Sequence, residues 1–228
     1  MSQMHSFGES TEMYLKTICE LSTPDSLVPI STLADRLGIS PVSATEMVHR
    51  MQENNLLEHE RYKGVRLTNN GAQRALRVIR RHRLWERFLA DELHLPWEKV
   101  HDLACRLEHA TDQDLVNALD DYLHRPTSCP HGNPIPNPEG RLDNQSGVQL
   151  DTLTHGVRCI VLRIRPESQA VLHYLANRGI KPGTILEIIA FNEFDRLWTV
   201  CVDDHEEHLG RPIASRLVVQ PMEKPLNE

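Results

Sequence analysis

Apolar side chains recur at Met13, Leu15, Ile18 and Leu21 among polar neighbours, the rhythm of an amphipathic helix over Thr11–Leu21, with Ser10 or Thr11 placed to cap it. The stretch "VPISTLADRLGISPVSATEMVHRMQENNLLEHERYKGVRLTNNG" then predicts a short helix from Ser31 to Leu37, a turn at Gly38 and a further helix from Val42 to Asn54. Two short helices joined by a tight glycine turn are a helix-turn-helix signature, and the second is the one that enters a major groove. "LLEHERYKGVRLT" alternates around Lys63-Gly64 as a small hairpin, the place of a wing. The same pieces also suit packing units of another helical domain; the basic run that begins in the hairpin favours the winged reading.

A long helix follows over Gly71–His94, with apolar positions at Ala75, Leu76, Ile79, Leu84, Phe88 and Leu89, then helices over Trp97–His109 and Asp112–Leu123. Their apolar stripes, with Trp85, Phe88 and Trp97, suit either a dimer interface or an intramolecular core. Prolines 126, 130, 134, 136 and 138 exclude regular structure from "RPTSCPHGNPIPNPEGRLDNQSG", which reads as an ordered loop leading into a linker. Beyond it "VRCIVLRI", "TILEIIAFN", "RLWTVCVDD" and "ASRLVVQPM" read as strands, interrupted by a helix around Ser168–Arg178 and a turn at "GIKPG". That is a small β-barrel of about 75 residues. "DDHEEH" has histidines three apart and lies among strands, so it reads as a polar hairpin turn. The expected division is 1–72 for the winged helix, 73–140 for the helical segment, 141–150 for the linker and 151–228 for the barrel.

Composition narrows the class. The chain has 228 residues, 39% hydrophobic and 25% charged, as in a soluble globular protein. No apolar run approaches the roughly 18 residues of a membrane span. "MSQMHSFGESTEMYL" lacks the basic and apolar regions of a secretory signal, so a cytoplasmic protein without a membrane partner is expected. Cys19, Cys105, Cys129, Cys159 and Cys201 are odd in number and scattered, which suits reduced thiols. The net charge of −7 hides an asymmetry: Arg61–Arg87 holds nine bases and one acid, whereas Phe88–Asp143 holds eleven acids and four bases. One stretch suits phosphate and the next suits cations.

Metal-capable side chains run from the end of the basic stretch into the acidic one. His82 and Glu86 stand one helical turn apart, a spacing that lets both grip one ion but more often marks solvated partners. In "VHDLACRLEHATD", His101, Cys105, Glu108 and His109 fall within a stripe roughly 100° wide on an ideal helix. Six potential ligands on neighbouring helices exceed one site, so two sites or a binuclear one is expected. The mixed N/O/S set suits Fe(II), Mn(II), Co(II), Ni(II) or Zn(II). Neither a glycine-rich phosphate loop nor a serine nucleophile motif is present.

Taken together, "TEMYLKTI", "RRHRLWERFL", "KVHDLACRLEH" and "GNPIP" resemble the diphtheria toxin repressor and iron-dependent regulator family, over essentially the whole chain and most strongly from Thr11 to Pro136. The resemblance implies a mainly α fold with β: an N-terminal winged helix-turn-helix, a helical dimerisation domain carrying metal sites, and a C-terminal SH3-like barrel. It implies one site of His82, Glu86 and His101, completed by an oxyanion or by barrel ligands, for which Glu167 and Gln169 in "RPESQ" are the match. It implies a second of Met13, Cys105, Glu108 and His109 with a backbone carbonyl. Arg83 and Asn133 match anion-contacting positions, while Cys129 stands where a serine is usual. Acidic residues are typical at the Met13 and Cys105 positions of the manganese-sensing branch, so the sulfur donors favour Fe(II), with Mn(II) next.

The expected function is therefore a metal-activated repressor that binds double-stranded operator DNA as a homodimer and controls iron or manganese uptake and homeostasis, with no small-molecule substrate and no enzymatic activity. Ser40, Ser43, Thr45 and Arg50 are the candidates for base and phosphate contacts, and Arg61, Lys63 and Arg66 for wing contacts. A binuclear hydrolase or oxidase is the rival, and it leaves the winged pattern unexplained. A further reading makes the barrel an interaction module for a proline-rich segment, "NPIPNP" of this chain included.

Overall fold

The computed structural model describes residues 8–23, 26–142 and 146–222. The chain forms two compact units: one runs through His82 and adds Glu108–Thr111 and Pro136–Arg141, and the other holds Arg83–Leu107, Asp112–Ile135 and the chain from Leu142 on.

In the first unit, α1 (Glu9–Leu21) begins after Gly8, whose carbonyl accepts from the Thr11 amide, so neither Ser10 nor Thr11 caps it. Helix α2 (Ile30–Leu37) ends on Gly38 at φ 67, the left-handed cap that turns the chain into α3 (Pro41–Glu53). Ser40 caps α3 by accepting from the Ser43 amide, and Pro41 occupies the first turn, where no amide hydrogen is needed. Strands β1 (Leu57–Glu60) and β2 (Gly64–Leu67) pair antiparallel with Glu58 opposite Arg66, forming the expected hairpin. Tyr14, Leu15, Ile18, Leu33, Val48, Met51, Leu57 and Val65 close a core between these helices and the hairpin. Helix α4 (Asn69–Asp91) starts in this unit.

In the second unit, α5 is shorter than the sequence pattern suggests. It spans Val100–Leu107, because Trp97–Lys99 form a turn, and a 3₁₀ segment at Glu108–Ala110 replaces its last expected turn. Helix α6 (Gln113–Tyr122) is capped by Asp112, and Leu84, Val116, Leu119 and Ile135 share one small core. The C-terminal part is a six-stranded antiparallel sheet in the order β3-β8-β4-β5-β6-β7. Its elements are β3 (Val148–Gln149), β4 (Arg158–Ile164), α7 (Gln169–Ala176), β5 (Ile185–Asn192), β6 (Leu197–Val202), β7 (His205–Gly210), α8 (Arg211–Ala214) and β8 (Leu217–Pro221). Irregularities in β4 and β5 bend this sheet around a core of Val161, Ile164, Leu172, Ile188, Trp198 and Leu217.

The expected turn in "DDHEEH" is confined to Asp203 and Asp204, both at positive φ, and His205 already begins β7. As an edge strand paired only with β6, β7 leaves half of its residues exposed, so it carries little of the apolar alternation that marks a strand. Trp97, for which the pattern left a dimer face and an intramolecular core open, packs against the core of the sheet.

Candidate metal centre

The first unit builds a polar network around Glu108. The 3₁₀ turn places Glu108 and His109 beside α1 and α4. Lys16 Nζ lies 2.8 Å and His82 Nδ1 2.6 Å from one Glu108 oxygen, and His109 Nε2 lies 3.4 Å from the other. His109 Nδ1 reaches Glu12 at 2.8 Å, and Arg81 holds the same carboxylate at 2.6 Å. Glu108 is fully buried. Burial alone would raise its pKa, but the His82 and Lys16 charges outweigh that and hold it down to about 2. Met13, the expected sulfur ligand on α1, is half-buried, with Glu12 before it and Lys16 one turn after it. Lys16 and Glu12 were not singled out from sequence, because a lysine and a glutamate on an amphipathic helix read as its solvated face.

The second unit gathers a different set. Glu86 on α4, His101 on α5, His131 in the loop after α6, and Glu167 between β4 and α7 converge. His101 Nδ1 lies 3.1 Å from Glu86 and 3.4 Å from Glu167; His131 Nδ1 lies 3.2 Å from Glu86 and 3.7 Å from Glu167. Burial disfavours charge on both histidines, but the carboxylates and neighbouring thiols raise both pKa values well above the ordinary value. Burial and the Glu86 charge push the Glu167 carboxyl up; His101 and His131 outweigh them and keep it below the usual carboxylate range. Cys105 Sγ stands 4.0 Å from His101 Nε2. Gln169, expected beside Glu167, is exposed at the first position of α7.

The expected anion contacts are engaged with protein. Arg83 donates to the Pro134 carbonyl, and Asn133 Nδ2 donates to the Ile164 carbonyl at 2.8 Å and to Glu167. Cys129 and His131, which flank this turn, are buried in the same cluster, yet the sequence reading assigned neither as a ligand. The Cys-Pro-His spacing was the available signal, masked by the prolines around it.

On the DNA-reading side, Ser43 and Arg50 are exposed on α3, and the Thr45 hydroxyl is held by the Pro41 carbonyl at 2.8 Å. The Ser40 and Ser43 hydroxyls bond each other at 2.9 Å. Val42, absent from the expected contacts, is 70% exposed in the first turn of α3, an apolar group of the kind that meets a thymine methyl. In the hairpin, Arg61 stacks over Tyr62, which is 90% exposed, while Lys63 pairs with Glu60 at 2.9 Å and Arg66 with Glu58 at 2.6 Å. The wing is thus less basic than the run from Arg61 suggests. Exposed pairs of this kind hold weakly, so phosphates can displace them.

Residues 6–65 match the N-terminal DNA-binding domain of iron-dependent repressors, 68–137 their metal-binding and dimerisation domain, and 148–221 the FeoA domain. The chain is 38% identical over 193 residues to the iron-dependent repressor IdeR of Mycobacterium tuberculosis, an alignment spanning 79% of this chain and 84% of IdeR. It belongs to the iron-dependent repressor family. The family also includes the diphtheria toxin repressor of Corynebacterium efficiens, 36% identical over 82% of this chain and 85% of that one. A solved structure of a manganese-dependent transcriptional repressor in complex with manganese superposes with a TM-score of 0.85 at 34% identity, covering 93% of this chain and all of that one. As a member of this family the chain is a metal-dependent transcriptional repressor and not an enzyme, which removes the hydrolase or oxidase alternative. Among the described residues, no helix is long and apolar enough to cross a membrane.

Proposed function

We propose that this repressor is activated by Fe(II), with Mn(II) the second choice and Co(II), Ni(II) or Zn(II) able to substitute in vitro, and that it then binds palindromic operator DNA as a homodimer in the cytoplasm. What supports the metal dependence is the donor chemistry: two buried carboxylates, Glu86 and Glu167, meet two imidazoles, and a third, Glu108, meets His82 and His109. These residues fit a divalent ion, since carboxylate and imidazole donors converge at ligand-like separations in both places. A bound ion would supply the positive charge that Lys16 and protonated histidines otherwise provide.

Met13, His82, Glu108 and His109 are the proposed donors in the first unit. Glu86, His101, Cys105 and Glu167 are those in the second. The soft sulfurs of Met13 and Cys105 favour Fe(II) over Mn(II). Ser40, Ser43, Thr45 and Arg50, with Val42, face the bases and phosphates, and Arg61, Lys63 and Arg66 hold the backbone. Leu115 and Tyr122 on α6 and Leu93 just beyond α4 leave large apolar surfaces exposed beside half-buried Trp85 and Phe88, which suits a second copy of the chain.

The test is operator binding measured anaerobically against free Fe(II) and Mn(II) at controlled concentration, with footprinting before and after chelation. Binding at lower free Fe(II) than Mn(II), abolished by chelator, is the expected result. A footprint indifferent to chelator would sink the proposal.

A further inference from the structure

The loop Cys129–Asn133 is built to aim two side chains inward. The Cys129 amide donates to the Asn133 carbonyl and the Gly132 amide to the Cys129 carbonyl, closing a tight turn. Gly132 sits at φ 80 against the Leu162 carbonyl, where an added Cβ would lie 2.0 Å from the oxygen, and the Ile164 amide donates to the His131 carbonyl at 3.0 Å. The turn is thereby seated on β4. It places Cys129 and His131 beside Glu86 and Glu167, and one donor atom from each of the four lies within 4.8 Å of the others. All four are buried.

The hydrogen-bonding of His131 points to a ligand. Its Nε2 lies 2.8 Å from the Trp97 carbonyl, which can only accept, so Nε2 carries the proton. With Nε2 so held, Nδ1 is the nitrogen that faces two carboxylates and Cys129 Sγ, 3.9 Å away, and a cation bound there would take the place of its proton. A backbone carbonyl that orients one imidazole nitrogen while the other faces carboxylates and a thiol is the outer-shell arrangement of metal-ligating histidines. Asn133 supports Glu167 in the same way by donating to it. Ion pairing accounts for the imidazole and the carboxylates; it leaves Cys129 without a role, although its sulfur also faces Glu167 at 4.0 Å.

We propose that Glu86, Cys129, His131 and Glu167 form a metal site with a thiolate donor, His101 adding a further nitrogen, and that this site takes a thiophilic first-row divalent ion. The residue matching the family's anion-contact position is thus itself a ligand. The proposal deepens the metal-dependent reading of this protein and rests on it.

Co(II), titrated into the full-length protein without DNA, reports thiolate ligation through its sulfur-to-metal charge-transfer band. Cys105 is a second candidate sulfur, so the comparison is made in a Cys105→Ser background. There the band is expected to persist, to vanish on adding Cys129→Ser, and to weaken in His131→Ala with at least a tenfold loss of Co(II) affinity. No band in Cys105→Ser, or a band that survives in the double variant, overturns the proposal. Should Cys129→Ser fail to fold, X-ray absorption on the Zn(II)-loaded Met13→Leu/Cys105→Ser double variant decides: sulfur in the zinc shell supports the site, and an all-N/O shell overturns it. Operator binding by the wild-type protein is read separately. Metal-independent DNA binding alongside an intact thiolate band would remove the repressor mechanism and leave the site standing.

Discussion

Lys16 carries a consequence that no spacing along the chain announces. Its ammonium occupies the Glu108 carboxylate at 2.8 Å, with both side chains buried, so it is counter-charge and competitor for any cation at that oxygen. Removing one partner of a buried pair costs about 3–5 kcal/mol, because the other charge is left uncompensated. Lys16→Met is therefore expected to lower stability by about 3 kcal/mol in chelator, to bind divalent metal more tightly than wild type, and to regain most of the lost stability when metal is added, all readable from thermal melts. Unchanged metal affinity would reduce Lys16 to a structural residue. The sign with pH follows from the lowered Glu108 pKa. The stabilisation is present in full above the unfolded value of about 4.5 and is lost as pH falls toward about 2. In chelator, acid melts of Lys16→Met should be flatter over that range than those of wild type.

At the level of elements, the helix boundaries follow the apolar rhythm to within a few residues, while the turns decide what those helices deliver. The last expected turn of α5 becomes a 3₁₀ segment, so the ideal-helix spacing used to place Glu108 and His109 does not hold there. The loop after α6 depends on one glycine. Gly132→Ala meets both a positive φ and the Leu162 carbonyl, whereas Gly38→Ala meets a positive φ of 67 with open space around it. Gly38→Ala is expected to cost about 1–2 kcal/mol by denaturant unfolding. Gly132→Ala should cost more and should also weaken Co(II) binding, since it displaces Cys129 and His131. Equal costs and intact metal binding would show that the turn does not set the donors.

For the whole molecule, metal binding and folding are linked: an ion held only by the folded donors stabilises the fold. At free metal a hundred times the dissociation constant, the gain is about 2.7 kcal/mol per site. A rise in melting temperature with Mn(II) or Co(II), reversed by chelator, is expected, and a melt indifferent to metal would contradict the donor assignments. The winged helix, the helical segment and the small antiparallel barrel were all legible in the sequence, because periods of 3.6 and 2 survive wherever one face of an element is buried. So were the donor types of His82, Glu86, His101, Cys105 and Glu108, the proposed ligands, because residue type and one-turn spacing are local properties. The tertiary structure alone decided the partners. Glu108 faces Lys16 and His82, Glu167 reaches Glu86 from the far side of a long loop, and Cys129 and His131 join that carboxylate pair. Those pairings join residues tens of positions apart, and chain closure, not local pattern, brings them together.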